Sequence, residues 1–184
     1  MVEAMTTLRL AALEAARPAA AELAAAFTSG QVVASTKTNR HDLVSDWDQR
    51  IELLLKSRLA GRDAVFWGEE TGREPVTAPG QLEWIIDPID GTSNFVHGYP
   101  LFSISIAAVI DQRVVAGVVV DPVTGDEYSA DATGAYLNDQ PFEARPTPAE
   151  VSQYNLVTSF PAAEILQRAP HATELFGELV TRFA

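Results

Sequence analysis

At 184 residues and 19.9 kDa the chain has the length of one domain, or of two small ones closely packed. Its 47% hydrophobic and 21% charged residues match soluble globular domains and exclude wholesale disorder and collagen-like repeats. With 25 acidic and 13 basic residues the net charge is −12, which excludes gripping nucleic acid through a broad basic face, and the absence of cysteine excludes disulfides, Cys-ligated zinc and a Cys nucleophile.

From Val2 to about Phe27, Met5, Leu8, Ala12, Ala16, Leu23 and Phe27 recur at helical spacing, and Pro18 predicts a kink or break. Ser45 and Asp48 resemble a capping box, with Asp in place of Glu, that opens a second helix through Ile51, Leu54, Leu55 and Leu59 to Gly61. Ala64 to Trp67 and Leu82 to Ile86 read as strands, each ending in acidic residues, and the Gly- and Pro-rich stretch from Thr71 to Gln81 reads as the loop between them. Phe102 to Tyr136 predicts an antiparallel meander with turns at Asp111-Gln112, Asp121 to Gly125 and Asp131 to Gly134. Asn155 to Phe160 reads as a further strand, and Leu175, Phe176, Leu179, Val180 and Phe183 as a final amphipathic helix. The expected class is α+β, a layered sandwich of a largely antiparallel sheet flanked by helices. No run reaches the ~18 uninterrupted apolar residues of a membrane span, so the expectation is a soluble cytoplasmic protein with neither membrane nor nucleic acid as partner.

Acidic residues gather where the predicted strands end: Glu69-Glu70 after Val65-Phe66-Trp67-Gly68, and Asp87 and Asp90 in Asp87-Pro88-Ile89-Asp90-Gly91-Thr92. Pro88 biases Asp87 toward extended backbone and Gly91 permits a tight turn, so the two Asp side chains can converge. With Glu69 on a neighbouring strand, three carboxylates meet. A pair about 4 Å apart repels by roughly 4 kcal/mol at an effective dielectric near 20, and a cation relieves this most simply. All-oxygen ligation, to which the Ile89 carbonyl can add, selects a hard ion, most often magnesium beside phosphate oxygens. Gly91-Thr92-Ser93-Asn94 reads as a short helix start that offers N–H groups and hydroxyls to an anion. The same Asp-Pro-x-Asp-Gly string is equally ordinary turn chemistry, and paired Glu residues are equally a solvated face, so spacing alone divides evenly between the two.

The string WIIDPIDGTSNFVHGYP from Trp84 to Pro100, together with WGEE from Trp67, Lys37 upstream of DLVSDWD (Asp42 to Asp48), and GAYLND from Gly134 to Asp139, resembles the inositol monophosphatase family of magnesium-dependent, lithium-sensitive sugar phosphatases. The resemblance implies the N-terminal part of the αβαβα sugar-phosphatase fold. It makes Glu69, Asp87, Asp90 and the Ile89 carbonyl ligands of two or more Mg2+ ions. It makes Ile89, Asp90, Gly91 and Thr92 substrate-binding, with Gly91 and Thr92 holding the phosphate. Glu69 and Thr92 position a metal-activated water for in-line attack, with Asp48 orienting that network and Lys37 an active-site cation. Family members carry a second half with a WDxAAG-type segment whose Asp completes the second metal site. The resemblance therefore makes residues 1–184 the N-terminal metal- and phosphate-binding domain, with the C-terminal domain outside this sequence.

Other candidates have simpler roles. Asp42 reads as a turn or cap residue, and His41, His97 and His171 as loop or surface residues without ligand spacing. Trp47, Trp67 and Trp84 read as packing, and Ser103 and Ser105 lack a Gly-x-Ser-x-Gly elbow. The function implied is magnesium-dependent hydrolysis of small polyol phosphate monoesters, inositol monophosphate first, by a homodimer. The alternatives are histidinol-phosphate, nucleotide 3′-phosphate or fructose bisphosphate within the same superfamily. A different class of reading is a non-catalytic cation- and phosphate-binding or assembly module. A downstream WDxAAG-type segment in the reading frame favours the enzyme, and a stop codon after Ala184 favours the module.

Overall fold

The computed structural model describes residues 2–30, 40–61 and 63–143, together with positions 171, 174 and 178; of residues 40–45 it describes the backbone. The chain divides into two units, Met1–Glu143 and Ala144–Ala184. In the second, Glu174 and Glu178 are helical, as the amphipathic pattern there predicts. The strand expected at Asn155 to Phe160 lies outside the described residues.

Among the described residues of the first unit two helices, α1 (Val2–Ser29) and α2 (Arg40–Leu59), precede the sheet. The strands are β1 (Val65–Gly68), β2 (Gly72–Arg73), β3 (Leu82–Asp90), β4 (Ser103–Ile110), β5 (Arg113–Val120), β6 (Glu127–Asp131), β7 (Gly134–Leu137) and β8 (Gln140–Pro141), with the short helix α3 (Thr92–His97) between β3 and β4. They form one eight-stranded sheet in the order β2-β1-β3-β4-β5-β6-β7-β8. Neighbours are antiparallel except β1 and β3, which run parallel in the register Val65 to Glu83 through Gly68 to Ile86. The expected α+β class and meander are both present, and neighbouring strands from β3 to β8 are antiparallel. The turns at Asp111-Gln112 and Asn138-Asp139 place both residues at positive φ, the geometry that matches the twist of a two-residue hairpin.

Alternation in the strands selects one covered face. Trp84 and Ile86 of β3, Ile104, Ile106 and Ala108 of β4, and Ala116, Val118 and Val120 of β5 are buried against Ala12, Leu13, Ala16, Ala19 and Leu23 of α1 and Ile51 and Leu55 of α2. The alanine-rich face lets α1 lie close to the strands and favours helix at every position. Arg9 locks α1 to the sheet: its Nε donates to Asp131 Oδ2 at 3.0 Å, its Nη1 to Ser129 Oγ at 3.1 Å, and its guanidinium stacks on Tyr136 at 4.2 Å. Arg17 makes two hydrogen bonds to Glu127, at 2.8 and 2.7 Å, and reaches Asp139 at 3.1 Å. Asp131 and Asp139 are thus partners of α1 as well as loop ends.

Two expectations are corrected. Helix α1 continues through Pro18 without a break, because its buried face extends on both sides of the proline and outweighs one lost hydrogen bond. Helix α2 starts at Arg40, not at Ser45, so Asp48 is an interior residue and not part of a cap. Helix α2 ends as expected near Gly61, whose φ is +138°.

Pro18→Ala should restore a donor at an interior helical position and raise the stability of the protein by about 1–3 kcal/mol in urea unfolding. Unchanged or lower stability would show that α1 is built around the proline.

Candidate functional site

Parallel pairing of β1 and β3 determines the site. Because Gly68 stands opposite Ile86, the next residues, Glu69 just past β1 and Asp87 within β3, lie side by side. Glu69 is the first of three residues, Glu69-Glu70-Thr71, that link β1 to antiparallel β2, where Gly68 pairs with Gly72. Strand β3 continues beyond Asp87, so the predicted turn is instead an irregular strand end. Asp87 pairs with Ser105 and Asp90 with Ser103, which leaves one extra residue on β3 between them. Pro88 has no N–H to give to the ladder, and the bulge forms there.

Gly91 follows at φ +93°, and a Cβ at this position would lie 2.9 Å from the Leu101 carbonyl oxygen and 3.3 Å from Phe102 Cα. Only glycine fits both the conformation and the space. Its carbonyl accepts from the Asn94 and Phe95 N–H groups at 2.8 and 3.1 Å, starting α3 as the sequence predicts. Phe95 anchors that helix, with its ring 5.0 Å from Phe102, 6.1 Å from Trp47 and 6.4 Å from Phe27. The Thr92 hydroxyl then lies 2.8 Å from the Ile89 carbonyl oxygen and 3.3 Å from Asp48 Oδ1.

Asp48 therefore reaches the site from the interior of α2. It is 2% exposed, and its Oδ2 has no hydrogen-bond partner, nor has the buried Oδ1 of Asp87. Burial pushes the Asp48 carboxyl up to about 7, Glu70 adds to this, the Thr92 hydroxyl opposes it, and Glu69 and Asp87 raise it further. Burial likewise lifts Asp87 to about 6, reinforced by Glu69 and Asp90 and opposed by the Ile89 N–H. No Lys or Arg among the described residues pairs with Asp48, Glu69, Asp87 or Asp90. Nor do three His, Asp or Glu side chains among them form a ready-made metal cage. The donor set suits a hard divalent cation: acidic oxygens surrounding two buried, partnerless carboxylate atoms.

The structure thus brings together Asp48, Glu69, Asp87, Ile89, Asp90, Gly91 and Thr92. Lys37 lies outside the described residues, as do the side chains of His41 and Asp42. His97 is exposed and contacts the Ser93 carbonyl at 2.7 Å, and Trp84 is buried, Trp47 partly so, while Trp67 lies under Arg73 at 4.6 Å. Sequence reasoning gives Glu70 no role of its own and misses Glu52. Glu70 faces Asp48 closely enough to raise its pKa, and Glu52, one turn beyond Asp48 on α2, touches the Glu69 loop. The i to i+4 spacing of Asp48 and Glu52 was the available signal.

A profile of the Inositol monophosphatase family matches residues 4–175. The chain belongs to the inositol monophosphatase family. An inositol-1-monophosphatase of Rhizobium meliloti (strain 1021) is 41% identical over 102 residues, 54% of this chain and 38% of that protein. The Nus factor SuhB of Vibrio cholerae serotype O1 is 30% identical over 153 residues, 82% and 57% of the two chains. Inositol monophosphatase-II from Staphylococcus aureus MSSA476 shares the fold with a TM-score of 0.68 at 27% identity, over 93% of this chain and 61% of that one. The chain thus spans about half the length of the curated relatives it matches. Among the described residues no helix is long and apolar enough to cross a membrane.

The raised pKa values set a pH dependence. Between the ordinary carboxylate range and about 7, folded Asp48 and Asp87 hold protons that the unfolded chain releases, so metal-free stability should rise as pH falls from about 8 to 5, by on the order of 2 kcal/mol. Urea unfolding in chelator should show this slope, and Asp48→Asn should flatten its upper part. Stability that increases with pH across the window would mean that both carboxylates are already paired.

Proposed function

We propose that the protein hydrolyses phosphate monoesters of small polyols, inositol monophosphate first, with magnesium as cofactor. The observation that carries this reading is the pair of buried, partnerless carboxylate oxygens on Asp48 and Asp87, set among Glu69, Glu70 and Asp90. Family membership supports it independently.

In this reading Glu69, Asp87, Asp90 and the Ile89 carbonyl hold the cations, and the Gly91 and Thr92 N–H groups receive phosphate oxygens. When bound, magnesium polarises the phosphoryl group, eases proton loss from water and neutralises charge on the leaving oxygen. Thr92 donates its hydroxyl proton to Asp48 Oδ1, which leaves the Thr92 oxygen free to accept from a water molecule; Glu69 accepts that water's other proton. The water is thereby aimed in line at phosphorus. Asp48, held by α2, keeps the Thr92 hydroxyl oriented, and no covalent intermediate is required.

Asp90→Asn removes one ligand charge and one source of repulsion at once. Calorimetry and thermal unfolding should show weakened magnesium binding with metal-free stability unchanged or higher, and phosphate release from inositol monophosphate should fall about a hundredfold or more. Magnesium heat and a thermal shift in the unaltered protein without phosphate release from inositol, histidinol, nucleotide or fructose phosphates would make it a cation- and phosphate-binding module. No magnesium heat at millimolar metal would make the cluster a solvated acidic face.

A further inference from the structure

Glu52 is a fully buried carboxylate, 0% exposed, and has no place in the chemistry above. Its Oε2 accepts from the Glu70 N–H at 2.9 Å, its Oε1 accepts from the Thr71 hydroxyl, and Lys56 Nζ lies 3.3 Å from Oε1. Lys56 Nζ in turn contacts the Thr71 hydroxyl, closing a ring around the three-residue loop. Burial raises the pKa of Glu52, but the Thr71 hydroxyl, the Glu70 N–H and Lys56 outweigh it, so the group stays ionised. Gly68 makes room for it, since a Cβ there would lie 2.0 Å from Glu52 Oε1 and 2.3 Å from its Cδ. A side chain at this position would displace the Glu52 carboxylate from where it now sits.

A buried carboxylate is costly, and a hairpin of this length forms without one. Apart from Lys56, the partners named are confined to Glu70 and Thr71, which immediately follow Glu69. Asp48, four residues earlier on α2, holds Thr92 on the other side of the site. We propose that Glu52 is a positioning residue that fixes the Glu69 loop, and so sets the Glu69 carboxylate against Asp87 for the shared cation. This rests on the reading of Glu69 and Asp87 as cation ligands. One helix then carries two carboxylates a turn apart, one steadying each edge of the site.

The test compares the 184-residue chain with Glu52→Gln, Thr71→Val and Leu55→Ala by magnesium calorimetry, thermal unfolding and amide exchange at Glu70. Leu55 is a buried residue of the same helix outside the loop contacts, so its truncation reports destabilisation alone. Glu52→Gln should weaken magnesium affinity at least about tenfold and speed Glu70 exchange about tenfold or more, the sizes common for supporting ligand contacts and charged hydrogen bonds. Thr71→Val, which keeps the buried charge, should shift both in the same direction by less and stands in if Glu52→Gln does not fold. Leu55→Ala should lower the melting temperature with magnesium affinity unchanged. Magnesium affinity within twofold of the unaltered protein in Glu52→Gln and Thr71→Val, or an equal loss in Leu55→Ala, would overturn the positioning role. An unaltered protein that gives no magnesium heat would instead remove the cation reading, and the positioning role with it.

Discussion

Carboxylate repulsion at the ends of two parallel strands is the constraint to which the rest of the first unit answers. The β1 and β3 register places Glu69 beside Asp87, the β3 bulge returns Asp90 to the same place, and α2 adds Asp48 from below. Like charges brought this close oppose folding, and the pKa values of Asp48 and Asp87, raised first by burial and then by the neighbouring acids, reflect both costs. The surrounding structure must therefore be strong enough to hold like charges together without a cation. The apolar face shared by α1, α2 and strands β3 to β5, with the aromatic group around Phe95, supplies that strength close to the site.

Rigid attachment matters because the acids of the site arrive from different kinds of backbone. Asp87 is in a paired strand, Asp90 beyond a bulge, Glu69 in a three-residue loop and Asp48 in a helix. Each junction has its own local fastening. Gly91 lets the chain turn under Leu101, Phe95 fills the space between Phe27, Trp47 and Phe102, and Gly68 admits the Glu52 carboxylate. A site assembled from mixed elements keeps its geometry only when the loop member is held as firmly as the strand members.

Much of this arrangement is legible in the sequence because it comes from residues with few conformational options. Pro88 and Gly91 announce that Asp87 and Asp90 converge, although the device is a bulge and a left-handed glycine, not a simple turn. The paired turn residues of the meander are equally plain. The spacing Ser45-x-x-Asp48 imitates a cap, but that local pattern is overridden by a helix that begins at Arg40, while Asp48 does meet Thr92. Pro18 suggests a kink or break, and the break is absent because tertiary burial along α1 outweighs one backbone preference. Glu52 escaped notice because Glu followed four residues later by Lys is the usual mark of an exposed helical ion pair, and burial depends on contacts far away in sequence.

Asp48 and Glu52 show how a carboxylate left partly bare in the site differs from one that the fold has already paired. They sit one turn apart on α2 and are both buried, yet the structure moves their pKa values in opposite directions. Desolvation acts on each in the same sense, so the difference lies in what surrounds them. Glu52 is supplied by the protein with an N–H, a hydroxyl and an ammonium. Asp48 receives one hydroxyl, keeps a bare oxygen and faces three further acids. A carboxylate whose donors are built into the fold has its compensation already and serves the scaffold. One left without them, beside others in the same condition, needs positive charge that the described residues do not supply, and that unmet need is the physical support for the proposed cation at the ends of β1 and β3.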